Sequence, residues 1–168
     1  TEEMIKAEKA LEQAKQKESD IYAQDIYNKT EETYKNAKEL VSAKRYEEAR
    51  AVAKEVHQLA HQAISLSESN RLTLKTEAER MIEAVQGEID KIKSIAPKLS
   101  KRRDAQKRKQ LQEMIQKWEA DLTDIKNQLK AQKIRHAFDK LNVLIKEINA
   151  KEKILLSRKE IGKPLRKG

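Results

Sequence analysis

Apolar residues recur along this chain at alternating spacings of three and four, the interval that keeps positions on one face of an α-helix. Over 2–18 the row is Met4, Ala7, Leu11 and Ala14. Over about 20–43 it is Ala23, Tyr27, Thr30, Tyr34, Ala37 and Val41. It restarts near residue 46 with Tyr46, Ala49, Ala53, Val56, Ala60 and Ala63. After the polar stretch SLSESNRLTLK, which contains neither Gly nor Pro, it resumes with Ile82, Val85, Ile89, Ile92, Ala96 and Leu99. The third helix is therefore expected to run unbroken over 46–95, some 50 residues or about 75 Å at 1.5 Å per residue. A break within 65–70 is the competing outcome. Gly87 weakens the helix locally, and the residue before Pro97 should end it.

Two more rows follow the segment APKLSKRRD. A fourth helix carries Leu111, Ile115, Trp118, Leu122, Ile125 and Leu129. A fifth carries Ile134, Ala137, Leu141, Leu144, Ile148 and Leu155, and is expected to fade into SRKEIGKPLRKG at Gly162 and Pro164. The segment ESDIYAQD interrupts the first two rows, and Ser19 or Asp20 is suited to cap the helix that follows. The expected fold is all-α: an elongated antiparallel helical bundle of coiled-coil hairpins, about five helices, with the long third helix shared between two hairpins.

Sliding the chain by 88 positions sets the rows on one another. Tyr27 meets Ile115, Thr30 meets Trp118, Ala53 meets Leu141 and Ala60 meets Ile148, and the break AKRYEEA meets AQKIRHA. Any two rows with helical spacing can be brought into register, so the shared break is the telling part. It points to a repeated helical hairpin. The expected division is 1–69, an Ala/Tyr-rich hairpin module; 70–160, a basic hairpin module; and 161–168, a basic tail.

Composition narrows the class. Hydrophobic residues are 38% and charged residues 39% of the 168, which suits thin helices with one buried stripe each. Only 3 Gly and 2 Pro are present, too few for a turn-rich β fold. With no cysteine, disulfides, thiol chemistry and Cys-bound zinc are excluded. No apolar run reaches membrane-span length. The net charge of +9 is unevenly placed: residues 1–69 hold 11 Lys/Arg against 14 Asp/Glu, the remainder 26 against 14. The opening residue is Thr1, not Met, and this implies a processed or cut chain, with any signal or lipid-anchor segment lying upstream.

The stretches AEKALEQAK, IYAQDIYNKTEETYKNAKEL and SAKRYEEARAVAKEVHQLAHQAI, together about residues 4–64, resemble a family of short bacterial helical domains of unknown function, family 4398. Tyr22 and Ala23 stand where the family has Tyr-Ala-Pro, with Gln24 replacing the proline. The resemblance implies an exported protein of the periplasm or outer envelope, often a lipoprotein, with a cytoplasmic location as the alternative. Relatives often carry a peptidoglycan-binding domain downstream, and none is visible here. The resemblance supplies no catalytic residues.

Candidate chemistry is sparse. His57 and His61 lie four apart on one helical face, as metal ligands can. The zinc-protease motif needs Glu after the first His, where this chain has Gln58. Glu55 points elsewhere, and His136 is remote in sequence. Two ligands make only a weak site, and the pair reads as boundary residues of the Val56–Ala60 stripe, so no metal is assigned. Glu31 with Glu32 and Glu47 with Glu48 are adjacent and diverge by about 100° on a helix. They suit exposed i,i+4 pairs such as Glu31 with Lys35, not a carboxylate dyad. Tyr22, Tyr27, Tyr34, Tyr46 and Trp118 mostly sit on the stripes, as core residues.

No phosphate loop, nucleophile elbow or Ser-Lys pair occurs, so the chain is read as non-enzymatic, with no cofactor and no small-molecule substrate. One segment stands out. KLSKRRDAQKRK, 98–109, gathers Lys98, Lys101, Arg102, Arg103, Lys107, Arg108 and Lys109 around a single Asp104. Such a cluster meets phosphates or other anionic groups, and the absence of interleaved aromatics argues against base stacking. The first expectation is a non-catalytic scaffold or interaction module with a protein partner or self-association through its helices. The alternative is a binder of nucleic acid, lipid headgroups or cell-wall polymer through the basic cluster.

Overall fold

The computed structural model describes the backbone over 2–99 and 105–166 and side chains over 2–97 and 105–155. The chain is all-helical, and no strand occurs among the described residues. The helices are α1 (Glu2–Gln16), α2 (Ser19–Tyr22), α3 (Gln24–Ser42), α4 (Tyr46–Ile95), α5 (Ala105–Lys130) and α6 (Ile134–Arg166), with a 3₁₀ turn at Ala96–Leu99. The chain divides into two compact units, Thr1–Thr73 and Leu74–Gly168, with the boundary inside α4.

In the first unit the small residues of α1 lie against α4. Ala7 packs with Ala53 and Val56, flanked by Met4 and Tyr34. Ala10 and Ala14 pack with Tyr27 and Ala60, flanked by Leu11 and Ile64. Alanine faces let helix axes approach closely, which suits a thin core.

Residues 65–70 do not break α4; they are occupied by tertiary bonds. Ser67 Oγ donates to Ser19 Oγ at 2.9 Å, both side chains being buried. Asn70 Nδ2 donates to the Tyr22 carbonyl at 2.7 Å. Arg71 pairs with Glu18 and lies over the Tyr22 ring at 4.8 Å. The polar run that looked like a hinge is the face that receives α2.

Three expectations change here. The first helix ends at Gln16, and the interruption holds a short helix of its own, α2, set off by Glu18 in the left-handed region at φ 59°. Ser19 and Asp20 cap nothing: the caps of α2 and α3 are Glu18 and Ala23, without side-chain bonds, because Ser19 is turned inward to Ser67. Tyr46, placed on the stripe, is 59% exposed. Glu3 of α1 pairs with Arg50, so α1 meets α4 only beyond that ring.

In the second unit large aliphatics fill the interior. Ile82, Val85, Ile89 and Ile92 of α4 are buried, as are all six stripe residues of α5 and Ile134, Ala137, Leu141, Leu144 and Ile148 of α6. Lys140 pairs with Asp124 at 2.8 Å and Lys117 with Glu147 at 3.3 Å, as residues of a hairpin do when counted outward from its turn. α6 continues to Arg166 through Gly162 and Pro164, where a basic tail was expected. Proline removes one backbone donor, and here that local loss does not end the helix.

The two hairpin turns are the same structure. Before α4, the Lys44 amide donates to the Val41 carbonyl at 2.9 Å and the Arg45 amide to Leu40 at 2.9 Å. Before α6, the Gln132 amide donates to Leu129 at 3.1 Å and the Lys133 amide to Gln128 at 3.0 Å. This paired pattern is the Schellman motif, which closes a helix on a left-handed residue. Lys44 at φ 58° and Gln132 at φ 63° are that residue.

Candidate anion-binding site

The most chemically distinct place among the described residues is a cavity of about 730 Å³ in the second unit, where the end of α4 meets α5. Its position follows from the sequence. Pro97 restricts the residue before it, so α4 gives way at Ile95 to the 3₁₀ turn, and Ala96 and Pro97 form one wall. The opposite wall is a face of α5. Arg108, Gln112 and Gln116 follow one another at spacings of four, one above the next, with Ile115 and Glu119 beside them. Lys93, on the last turn of α4, completes the rim.

Among the described residues the charges are two cations and one carboxylate. Lys93 forms an ion pair with Glu119, and the hydrogen bond between them holds the lysine above its usual pKa. Both side chains keep substantial solvent contact, so the pair contributes about 1 kcal/mol or less. Arg108 differs. It is half-buried between the exposed Lys107 and Lys109, and its Nε is buried without a hydrogen-bond partner. An unsatisfied buried donor costs about 1–3 kcal/mol, more when charged. Nor does its place help, because cations are unfavourable in the first turn of a helix.

The expected basic cluster is thus divided. The side chains of Lys98, Lys101, Arg102 and Arg103 lie outside the described residues. Of the three that are described, Lys107 and Lys109 face solvent and Arg108 lines the cavity. The sequence reading missed Lys93, Gln112, Gln116 and Glu119. The spacing 108, 112, 116 was a usable signal for three polar residues in one row, and Pro97 marked where a second wall would turn.

The other candidates take simpler roles. His57 and His61 bring their Nε2 atoms to 3.3 Å, rings edge to face. No group of three or more potential metal ligands occurs among the described residues. Tyr22, Tyr27 and Trp118 are buried and Tyr34 half-buried. Glu31 hydrogen-bonds the Tyr27 hydroxyl, Glu48 pairs with Arg45 and Glu47 with Arg50. A second cavity, about 300 Å³, has Glu88 and Glu152 at its edge. The hydrogen bond that protonated Glu88 donates to the Glu152 carboxylate, then burial and like charge, raises the pKa of Glu88, and Lys91 opposes the shift.

No helix among the described residues is long and apolar enough to cross a membrane. No family model, no curated protein and no solved structure matches the chain.

Proposed function

We propose that this chain is a non-catalytic helical scaffold or interaction module of the bacterial cell envelope, built as an antiparallel bundle from two related hairpins. The observation that carries the reading is the recurrence of one Schellman turn 88 residues apart, at Lys44 and Gln132, with the stripe residues in register on both sides. Repeated helical hairpins bury one face each and present the others, and in such proteins the surface is the working part. The envelope location rests on the resemblance to family 4398. Sedimentation equilibrium over a wide concentration range tests self-association through the helices: the reading expects a mass rising above 19.5 kDa. A constant monomer mass removes self-association and leaves only a different protein partner. Recovery of the native protein from the cytoplasmic fraction of its cell would remove the envelope.

A second reading is supported by the Arg108 Nε, which has no hydrogen-bond partner, at a cavity that Lys93 and Glu119 also line. In it, the chain binds an anionic polymer or surface through the basic face of the second unit. Reversing the charges of Arg102, Arg103 and Arg108 together should abolish such binding, and wild-type affinity should fall steeply with salt. Unchanged affinity ends this reading.

A further inference from the structure

We propose that His57 and His61 chelate one zinc ion through their Nε2 atoms on the solvent-facing side of α4, with water in the two remaining positions of a tetrahedral shell. The inference is independent of both readings above.

Helical spacing alone leaves the two histidines as neighbours at the edge of a stripe; the side chains add a distance. The Nε2 atoms lie 3.3 Å apart, with the ring centroids at 4.5 Å and the ring planes at 68°. That separation is longer than an ordinary hydrogen bond, whose donor and acceptor sit at about 2.7–3.2 Å. It matches the bite of a tetrahedral ion. Zinc binds imidazole nitrogen at about 2.0–2.1 Å. Two nitrogens 3.3 Å apart then subtend about 104–111° at the metal. A square-planar or octahedral ion holds neighbouring ligands at about 90°. The same bond lengths would then bring the nitrogens to about 2.8–3.0 Å. The pair is preset for the tetrahedral choice, and the ion takes the place of the proton that a hydrogen bond between the rings would need.

The helix holds the pair in place. Val56 and Ala60, the residues just before each histidine, are fully buried in the contacts with α1. The face that carries the rings is thereby fixed. His57 is half-buried and His61 exposed, so an ion reaches them without disturbing the core. A neutral imidazole with its proton on Nδ1 presents the Nε2 lone pair to a metal, and both rings can take that form at once. Lys54, three positions before His57, is exposed, so solvent and salt screen its charge from the ion. No third His, Asp or Glu joins the pair among the described residues. Two protein ligands make the affinity modest and leave the remaining positions open to solvent.

The test is a zinc titration of the full chain near neutral pH, read by isothermal calorimetry and by the nitrogen resonances of the histidine rings. One ion should bind per chain. The Nε2 resonances of His57 and His61 should move together, while those of His136, an exposed histidine of the second unit, stay in place. His57→Gln and His61→Gln should each weaken binding at least tenfold, and His136→Gln should change it less than twofold. Cobalt(II) in place of zinc should give the strong visible absorption of a tetrahedral ion, lost in either of the first two variants. Circular dichroism of the metal-free variants separates a lost ligand from a lost fold, and the wild-type spectra test the pair even where a variant loses helix. Single variants that lower the number of ions bound and leave the affinity unchanged would show two independent imidazoles and overturn the proposal. So would the weak absorption of octahedral cobalt, equal movement of the His136 resonances, or no binding at millimolar zinc.

Discussion

The two hairpins share a backbone register and differ in what fills it. At equivalent positions the first has Thr30, Ala53 and Ala60 where the second has Trp118, Leu141 and Ile148, and all six are buried. One turn geometry therefore serves two cores of different volume. The first core is close and thin, and polar links supplement it: Ser67 to Ser19, Asn70 to the Tyr22 carbonyl, Thr30 Oγ1 to the Ile26 carbonyl. The second relies on aliphatic area, at about 25 cal/mol per Å² buried. The turn fixes where the helices reverse, and side-chain volume then fixes how close they come.

Exchanging the residues at one equivalent pair should break both cores in opposite ways. Leu141→Ala leaves a void in the second hairpin, with an expected loss of about 2–5 kcal/mol. Ala53→Leu forces three more carbons into the contact among Ala7, Val56 and Ala53, with an expected loss of about 1–3 kcal/mol. Urea unfolding distinguishes the units, because the chain has 1 Trp, Trp118, inside the second core. Leu141→Ala should shift the fluorescence midpoint, and Ala53→Leu should shift the helical circular dichroism of the first unit. A neutral or stabilising Ala53→Leu would mean that the first core is loose rather than close.

The contrast also marks what could be read before the structure. Leu111 to Leu129 and Ala49 to Ala63 were legible because one periodicity, with no Gly or Pro inside, dictates a buried stripe. The recurrence of the break at Ala43 and Ala131 was legible for the same reason. Ser19 was not: a serine before a helix signals a cap, and only the fold shows that Ser67, 48 residues on, claims its hydroxyl. Tyr46 misled because periodicity says which face a residue takes, not whether another helix reaches it. The cavity was half legible. Lys107, Arg108 and Lys109 read alike as a run of charge, while the helical angle turns only Arg108 inward.

Polar content in the first core gives it a pH response that the second lacks at the same place. Tyr27 is buried beside Ala10, Ala14 and Ala60, and its counterpart is Ile115. Burial first, then the hydrogen bond to Glu31, raises the Tyr27 hydroxyl to about 12 from the usual 10.0. A raised folded pKa favours the neutral form. The contribution is complete below the unfolded pKa and is lost as pH climbs through the folded one. Between pH 10 and 12 the first unit should lose up to about 2 kcal/mol relative to Tyr27→Phe, at roughly 1.4 kcal/mol per pH unit. Taking the difference removes the background from lysines that titrate in the same range. Parallel pH curves for wild type and Tyr27→Phe would show that the hydroxyl is hydrated in the folded chain.

The turns themselves should respond alike, and this is the smallest effect and the sharpest test of equivalence. Lys44 at φ 58° and Gln132 at φ 63° occupy the left-handed region, which crowds the Cβ of any L-residue against the following carbonyl. That conformation costs about 1–2 kcal/mol, and glycine escapes it. Glycine gives back about 0.5–1 kcal/mol through the greater freedom of its unfolded chain. Lys44→Gly and Gln132→Gly should therefore each stabilise their own unit by about 0.5–1 kcal/mol, since both keep the bonds that close the turn. Neither residue is needed for its side chain in the turn, because the two bonds are made by backbone amides at 44 and 45 and at 132 and 133. Equal gains would establish that the two turns are energetically as well as geometrically the same. A gain at Gln132 with a loss at Lys44 would show that the Lys44 side chain has a role of its own at the tip that also exposes Tyr46.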